Sequence, residues 1–153
     1  MGPLKVKQQN EQATFVQFVK RLGTQHEWAS ISSQPEPEPD LLCIQVTDGP
    51  IAYELVSLTD PVIAEVLAAG AKAIQNAFST FDPAERIVRN KLHKTYRTKA
   101  HHIELLIYTD GRIITPDDVV IPTVLPWFDV ISHPFKRVWF MGEFETRCLW
   151  NAN

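Results

Sequence analysis

The chain has 153 residues, 44% of them hydrophobic and 22% charged, and its formal net charge at pH 7 is −3. A chain of this length can bury about two-thirds of its unfolded surface in one domain. Its apolar stretches are shorter than the roughly 20 residues that a membrane helix needs, and its N-terminus lacks the pattern of a signal peptide. We therefore expect a flexible lead-in at residues 1–9 and a single cytoplasmic domain at residues 10–153.

The first predicted element is an amphipathic helix. It begins at the capping residue Asn10, carries apolar residues on one face at helical spacing, and stops at Gly23. Glu11 lies in the first turn of this predicted helix, where a carboxylate interacts favourably with the helix dipole. The weak alternation of residues 26–31 then predicts a short first strand.

Residues 39–59 contain two apolar runs around Thr47, Asp48 and Gly49, which predicts a β-hairpin. A glycine at the end of a three-residue loop takes the left-handed conformation without steric cost. Such a loop pairs Val46 with Pro50 and, counted backwards, Leu42 with Glu54. Asp40 then becomes the diagonal neighbour of Glu54 on the same face.

The two carboxylates, Asp40 and Glu54, would project from a face that is otherwise apolar. Unpaired carboxylates are costly on such a face, so pairing or the binding of one shared ion is expected. The other residues of the face are Leu42, Ile44, Val46, Ala52, Val56 and Leu58. A two-residue loop would instead pair Cys43 with Glu54 and separate the carboxylates onto opposite faces.

The remaining elements follow in order. One helix is predicted after Thr59, with Lys72 as an inward-pointing candidate, and another from residue 82 to about Tyr96. Residues 103–108 form a continuous apolar run that predicts a central strand, with Glu104 facing solvent. Three prolines in residues 112–131 argue against long regular structure there. Two strands joined near residues 142–143 predict a hairpin at the sheet edge.

The sequence Pro39-Asp40, followed by a hairpin turn and then Glu54 on the next strand, resembles the PD-(D/E)XK nuclease superfamily. The succession of helix, hairpin, helical stretch and strand extends the resemblance over residues 10–110. It implies a restriction-endonuclease-like α/β fold, in which helices flank a mixed central sheet. In this chain the predicted C-terminal hairpin would lie at the edge of that sheet. It also implies that Asp40 and Glu54 hold Mg²⁺ or Mn²⁺ for phosphodiester hydrolysis, with Glu11 as a third metal ligand.

The chain departs from the family at the lysine, which would fall two residues after Glu54, where Val56 stands. Some family members resemble this chain in carrying the lysine on a neighbouring helix, and the candidate here is Lys91. It lies four residues after Ile87, on or beside the apolar side of its helix. The alternative is a lysine at the edge of a core-facing helix with only its stem buried.

The net charge does not favour nucleic-acid binding, but the distribution of charge is uneven. A basic run extends over Arg86, Arg89, Lys91, Lys94, Arg97 and Lys99. The resemblance and this run predict nucleic acid, and DNA in particular, as the partner, and a homodimer would suit double-strand cleavage. Two alternatives stay open: an inactive nuclease-like module that binds nucleic acid or a protein, and an α/β domain in which Glu54 pairs with Arg89 or another cation.

Overall fold

A computed structural model describes residues 2–58, 84–109 and 116–152. The chain is a mixed α/β protein in which a six-stranded sheet is flanked by helices. Its helices are α1 (Pro3–Leu22), α2 (Ala84–Leu92), α3 (Asp117–Val124) and α4 (Trp127–Val130), with a 3₁₀ turn at Gln25–Glu27. Its strands are β1 (Trp28–Ser33), β2 (Leu41–Gln45), β3 (Gly49–Ser57), β4 (Ile103–Tyr108), β5 (Phe135–Met141) and β6 (Thr146–Asn151).

The strands follow one another across the sheet in chain order. The first three are antiparallel, β4 and β5 run parallel to β3, and β6 returns antiparallel to β5. The predicted mixed sheet, the central position of β4 and the edge hairpin β5–β6 are confirmed. All residues of β4 except Tyr108 are buried, as expected for a strand covered on both faces.

The first helix begins at Pro3 and not at Asn10, so residues 3–9, expected as a lead-in, are helical. Proline suits this position because its fixed φ and missing N–H cost nothing in a first turn. The predicted stop is confirmed: Gly23 caps the helix with φ 73° and bonds back to the last turn. Glu11 therefore lies near the middle of α1, where it is buried, and the dipole role expected for it was wrong.

The register of the β2–β3 hairpin differs from the prediction. Leu42 pairs with Ala52 and Gln45 with Gly49, so the loop is residues 46–48 and Gly49, at φ 78°, opens β3. The expected pair of Leu42 with Glu54 was wrong. The observed register differs from the predicted one by two positions on β3, and because side chains alternate with a period of two, every residue that lies within the two strands keeps its predicted face.

Two apolar cores cover the two faces of the sheet. On one face α1 packs its phenylalanines against β2 and β3, chiefly against Cys43, Ile51 and Tyr53. On the other face α2, α3 and α4 pack against Ala52 and Val56 of β3. They also pack against the buried apolar side chains that β4 and β5 place on this face. Val46, expected on this second face, is 66% exposed because it lies in the hairpin loop.

The segment 112–131 was expected to lack long regular structure, and its described part contains two short helices of eight and four residues. Residues from Asp117 onwards form α3, which tolerates Pro122 in its last turn, and α4 follows directly. The apolar positions Val120, Ile121, Val124 and Phe128 are buried in the second core, and this burial outweighs the helix-breaking tendency of proline.

The second helix ends at Leu92 and not near Tyr96. The helix predicted after Thr59, and Lys72 within it, lie outside the described residues. None of the helices in the described part of the chain is long and apolar enough to cross a membrane.

The carboxylate of Asp117 holds the β5–β6 turn in place. It accepts hydrogen bonds from the backbone N–H groups of Glu143, Phe144 and Glu145 at 2.8–3.2 Å. A Cβ added to Gly142 would overlap this carboxylate. The turn therefore requires a glycine at this position for reasons of space.

We expect Gly142→Ala to lower the free energy of unfolding by about 1–3 kcal/mol, because the added methyl group displaces Asp117 from its three donors. Urea denaturation followed by circular dichroism would show a lower midpoint at an unchanged slope. Gly2→Ala is the matched control, since no atom lies within 4 Å of its added Cβ. An equal effect of the two substitutions would contradict this account.

Candidate functional site

Asp40 and Glu54 lie side by side at the start of β2 and the middle of β3. Extending the observed register by one residue places Asp40 directly opposite Glu54. The backbone N–H of Asp40 donates to Glu54 Oε1 at 3.0 Å, and the N–H of Leu55 donates to Asp40 Oδ2 at 2.9 Å. Each carboxyl group also affects the pKa of the other, so the two groups lie close together. The structure thus brings the predicted acidic pair together.

Lys91 reaches this pair from α2. Its Nζ donates to Glu54 Oε2 at 2.7 Å, while its side chain keeps 25% exposure. The flanking residues Val88 and Leu92 are buried, so the helix is fixed to the sheet on either side of the lysine. Lys91 therefore occupies the place beside the carboxylates that the sequence analysis proposed for it.

Tyr96 completes the environment of Glu54 and was not anticipated. Its hydroxyl donates to Glu54 Oε2 at 3.1 Å, and its ring packs against Phe135. Lys94 Nζ lies farther away, 3.8 Å from the same oxygen. No sequence signal marks Tyr96, because it lies after the end of α2 and meets Glu54 only through the tertiary fold.

Glu11 extends the cluster from α1. Its carboxyl group lies close enough to that of Asp40 for each to affect the other's pKa, and Lys7 and Lys91 lie close enough to attract it. We refer to Glu11, Asp40, Glu54 and Lys91 together as the carboxylate site. All three predicted acids and the predicted lysine therefore meet at one place, although they come from α1, α2, β3 and the residue before β2.

Burial raises the pKa of all three acids above the ordinary values. The pKa of Glu54 is raised further by the neighbouring Asp40 and lowered by Lys91. The pKa of Asp40 is held back by the N–H of Leu55 and raised by Glu11. One lysine in contact does not offset three desolvated carboxyl groups, so the carboxylate site favours the uptake of positive charge.

A cavity of about 440 Å³ opens beside the carboxylate site. It is lined by the first half of α1, the ends of β3 and β4, and the side chains of Glu11, Asp40 and Lys91. A cavity of this volume is in the range of small-ligand sites. The acids and the lysine therefore face space that a substrate group can enter.

Mg²⁺ and Mn²⁺ prefer hard oxygen ligands, and the Asp40–Glu54 pair has this donor chemistry. The raised pKa values indicate carboxylates that a cation would stabilise. Among the described residues, however, no group of three or more His, Cys, Asp or Glu side chains is arranged to hold a metal ion. The described residues thus offer a metal ion the carboxylate oxygens of the Asp40–Glu54 pair.

The exposed side of α2 is basic. An open surface cavity on this side is lined by Glu85, Arg86, Arg89, Asn90 and His93, and Arg89 stacks over Trp127 at 4.5 Å. Arg89 forms its salt bridge with Glu85, and Glu54 pairs with another cation, Lys91, which the alternative of a cation-paired Glu54 allowed for. The same helix thus carries a lysine at the carboxylate site and arginines on the surface.

Glu104 was expected to face solvent but is 1% exposed. Tyr53 and Trp139 donate to its Oε1 at 2.9 and 2.6 Å. His102 and Arg137 contact its Oε2 at 2.7 and 3.4 Å. A single acid inside an otherwise apolar strand was the sequence signal for this network, since such a residue is buried only with partners.

No protein-family model matches this chain, and comparisons with curated proteins and with solved structures find no significant match. Its function is therefore inferred from the geometry and chemistry of the carboxylate site.

We expect Glu11→Gln to be more stable than the wild type at pH 7. Because burial raises the pKa of these acids, the folded chain keeps their protons to higher pH than the unfolded chain does. The free energy of unfolding therefore falls as the pH rises above the ordinary carboxyl range and through the raised pKa. Replacing Glu11 with glutamine removes the contribution of Glu11 to this loss of stability. Urea denaturation at several pH values should show the difference shrinking on acidification.

Glu143→Gln is the matched control, because this glutamate is exposed and distant from the carboxylate site. Its stability should follow that of the wild type across the same pH range. A Glu11→Gln variant that is less stable than the wild type at pH 7 would show that the Glu11 carboxylate is a net stabilising group.

Proposed function

We propose that this protein is a metal-dependent nuclease that hydrolyses phosphodiester bonds in nucleic acid, with a restriction-endonuclease-like fold. The observation that carries the proposal is the meeting of Asp40, Glu54 and Lys91 beside a cavity of about 440 Å³. The helix, hairpin and later strand of the resemblance are present in the same order. An acidic pair with a lysine at its side is the combination that the resemblance requires.

Asp40 and Glu54 would hold the Mg²⁺ or Mn²⁺, together with a backbone carbonyl near Leu55 or Val56. When bound, the ion lowers the pKa of a water molecule and neutralises negative charge on the phosphate. The N–H of Leu55 and the hydroxyl of Tyr96 hold the two carboxylates in position. Neither Leu55 nor Tyr96 has to move for Asp40 and Glu54 to form the acidic pair.

Lys91 would act on the reacting groups themselves. An ammonium group has three N–H donors, so Lys91 can bond Glu54 and still donate to a water molecule or a phosphate oxygen. Hydrolysis adds the oxygen of water to phosphorus, breaks the bond to the leaving oxygen, and returns a proton to that oxygen. The lysine would orient the attacking water or stabilise the negative charge on the leaving oxygen.

The basic surface of α2 supports nucleic acid as the substrate. Phosphate neutralisation by arginine and lysine supplies most of the non-specific affinity of such proteins. Arg86, Arg89 and Arg97 are exposed on and just after α2, and one of them, Arg89, is paired with Glu85. We propose DNA as the polymer, with a symmetric dimer if both strands are cut.

The second candidate is an inactive nuclease-like module that binds nucleic acid or a protein. One observation favours it: Glu54 already bonds Lys91, Tyr96 and the N–H of Asp40. Such a glutamate is satisfied without any ion. This candidate predicts nucleic-acid or protein binding with no hydrolysis.

We expect Asp40→Asn and Glu54→Gln to abolish cleavage of supercoiled plasmid and single-stranded substrates in Mg²⁺ or Mn²⁺. Lys91→Ala should reduce the rate by about 100-fold or more, in keeping with the loss of a positioned polar group. A chelator should stop the wild-type reaction. Gel assays of cleavage, with far-ultraviolet circular dichroism to confirm folding, measure both effects.

Lys136→Ala is the matched control for Lys91→Ala, because Lys136 is exposed on β5 away from the carboxylate site. It should cleave like the wild type. Cleavage that persists in folded Asp40→Asn and Glu54→Gln proteins would refute the assignment of the acidic pair.

Metal binding can be measured without activity. A cation that binds only the folded protein stabilises it, by about 2.7 kcal/mol at 100 times its dissociation constant. We therefore expect Mg²⁺ or Mn²⁺ to raise the Tm of the wild type and to have no effect on Asp40→Asn. A rise in Tm without any cleavage would favour the inactive module, and equal shifts in both proteins would exclude Asp40 as a ligand.

A further inference from the structure

Lys94 lies near Glu54, as Lys91 does, but its ammonium group is held more loosely. Lys94 Nζ lies 3.8 Å from Glu54 Oε2 and 3.5 Å from Glu36 Oε1, whereas Lys91 Nζ lies 2.7 Å from Glu54 Oε2. The side chains of Lys94 and Glu36 are 38% and 79% exposed, so water competes for their ion pair. The ammonium group of Lys94 can therefore leave Glu36 for another anion at small cost.

The backbone that carries Lys94 is fixed, so only the side chain has to move. The N–H of Lys94 donates to the backbone oxygen of Lys91 at 3.3 Å, directly after α2. The N–H of Arg97 donates to the backbone oxygen of Pro37 at 3.1 Å. This second bond joins the segment after α2 to the loop that carries Glu36. Lys94 therefore stays at the border of the carboxylate site whichever anion its side chain contacts.

A cavity of about 310 Å³ adjoins the carboxylate site at this border, and we call it the Lys94 cavity. Two of its lining residues reach Glu54 Oε2: the hydroxyl of Tyr96 donates to it at 3.1 Å, and Lys94 Nζ lies 3.8 Å away. Thr95 and Ser132 add hydroxyl groups to the lining. None of the described residues that line this cavity is acidic. Its walls thus suit an anion.

His133 also lines the Lys94 cavity but supplies no charge to it at neutral pH. Its Nδ1 accepts from the N–H of Phe135 at 3.2 Å, and its Nε2 lies 3.0 Å from the backbone oxygen of Phe128. A ring that accepts through one nitrogen and donates through the other is neutral. Burial also lowers the pKa of this histidine. An anion in the cavity would therefore rely on the ammonium group of Lys94.

A phosphate of the substrate strand is the anion that best fits this place. A nucleic-acid strand carries a negative charge on each phosphate. A strand whose scissile phosphate lies at Asp40 and Glu54 brings the next phosphate to the border of the carboxylate site, where the Lys94 cavity lies. An exposed pair such as Lys94 and Glu36 contributes little to stability, whereas a contact between lysine and phosphate releases a counterion and adds affinity. The exchange of Glu36 for a phosphate is thus favourable.

We propose that Lys94 binds the phosphate next to the scissile one in a nucleic-acid strand, and that Glu36 holds this lysine until the strand displaces it. The inference rests on the proposed function, because it names the substrate group that adjoins the reacting phosphate. The strand would pass Tyr96 as it leaves the carboxylate site. Glu36 then competes with the substrate for Lys94, so its removal should raise affinity.

The first test is the binding of a fluorescent single-stranded oligonucleotide to the full chain, measured by anisotropy with a chelator present to prevent cleavage. We expect Lys94→Ala to raise the Kd by about five- to tenfold, and the slope of log Kd against log salt to fall by about 0.7. Glu36→Gln should lower the Kd by about two- to fivefold, because it removes the competing carboxylate. In the Lys94→Ala background, Glu36→Gln should have no such effect.

Two matched controls accompany these variants. Lys20→Ala removes a lysine that is exposed on the second half of α1 and lines neither the Lys94 cavity nor the cavity at the carboxylate site. Glu38→Gln removes an acid of the same loop as Glu36 that forms no ion pair with a described residue. Both should bind like the wild type. Far-ultraviolet circular dichroism confirms the folding of every variant.

The second test locates the phosphate that Lys94 contacts. Oligonucleotides with one neutral methylphosphonate linkage are cleaved in Mg²⁺ or Mn²⁺, and the products are mapped on sequencing gels. In the wild type, cleavage should be selectively reduced at the linkage adjacent to the methylphosphonate on one side. In Lys94→Ala this selective reduction should disappear, since the contact with the neighbouring charge is already lost. A purely structural role of Lys94 would leave the selectivity intact.

The outcomes separate this proposal from the nuclease proposal. A wild type that cleaves, together with a Lys94→Ala variant of unchanged Kd and cleavage pattern, would overturn this proposal alone. Weaker binding by Glu36→Gln would overturn the displacement of Glu36. A wild type that binds through Lys94 without cleaving would support the phosphate contact and refute hydrolysis. A wild type that neither binds nor cleaves would overturn both proposals.

Discussion

Glu54 is a carboxylate buried in the middle of the sheet, and much of the surrounding structure serves to satisfy it. A buried charge persists only where donors converge on it. Here the donors are the N–H of Asp40, the ammonium of Lys91 and the hydroxyl of Tyr96. These groups come from the residue before β2, from α2 and from the segment that follows α2. The position of α2 over β3 and the path of the following segment therefore both depend on the side chain of Glu54.

Glu104 provides an instructive contrast on the other face of the sheet. It is equally buried, but its four partners are donors or potential donors, and none is a carboxyl group. Glu54, in contrast, shares its surroundings with Asp40, whose own pKa is raised by burial and by Glu11. Acids that are placed together at a cost in stability, and that open onto a cavity, are typical of sites kept for function. This difference distinguishes a structural acid from a candidate catalytic one.

Two of the cavities lie at opposite halves of α1, so this helix organises both. Its first half lines the cavity at the carboxylate site, where Glu11 enters the acidic cluster. Its second half lines a separate cavity of about 200 Å³ with Phe18, Val19 and Leu22. Phe15 and Phe18 fix the helix between them by packing against Tyr53. The hydroxyl of Tyr53 in turn bonds Glu104, so the packing of α1 is linked to the buried network of β4.

The sequence alone determined the elements with strong local periodicity: the hairpin, the central strand and the edge hairpin. A three-residue loop predicted that Asp40 and Glu54 share a face, and this held because alternation along a strand survives a shift of two residues. The sequence also placed Lys91 beside the inner face of its helix. Only the tertiary structure decided the register, the start of α1 at Pro3 and the burial of Glu104. These features, like the contact of Tyr96 with Glu54, depend on contacts between residues far apart in the chain, which no local pattern encodes.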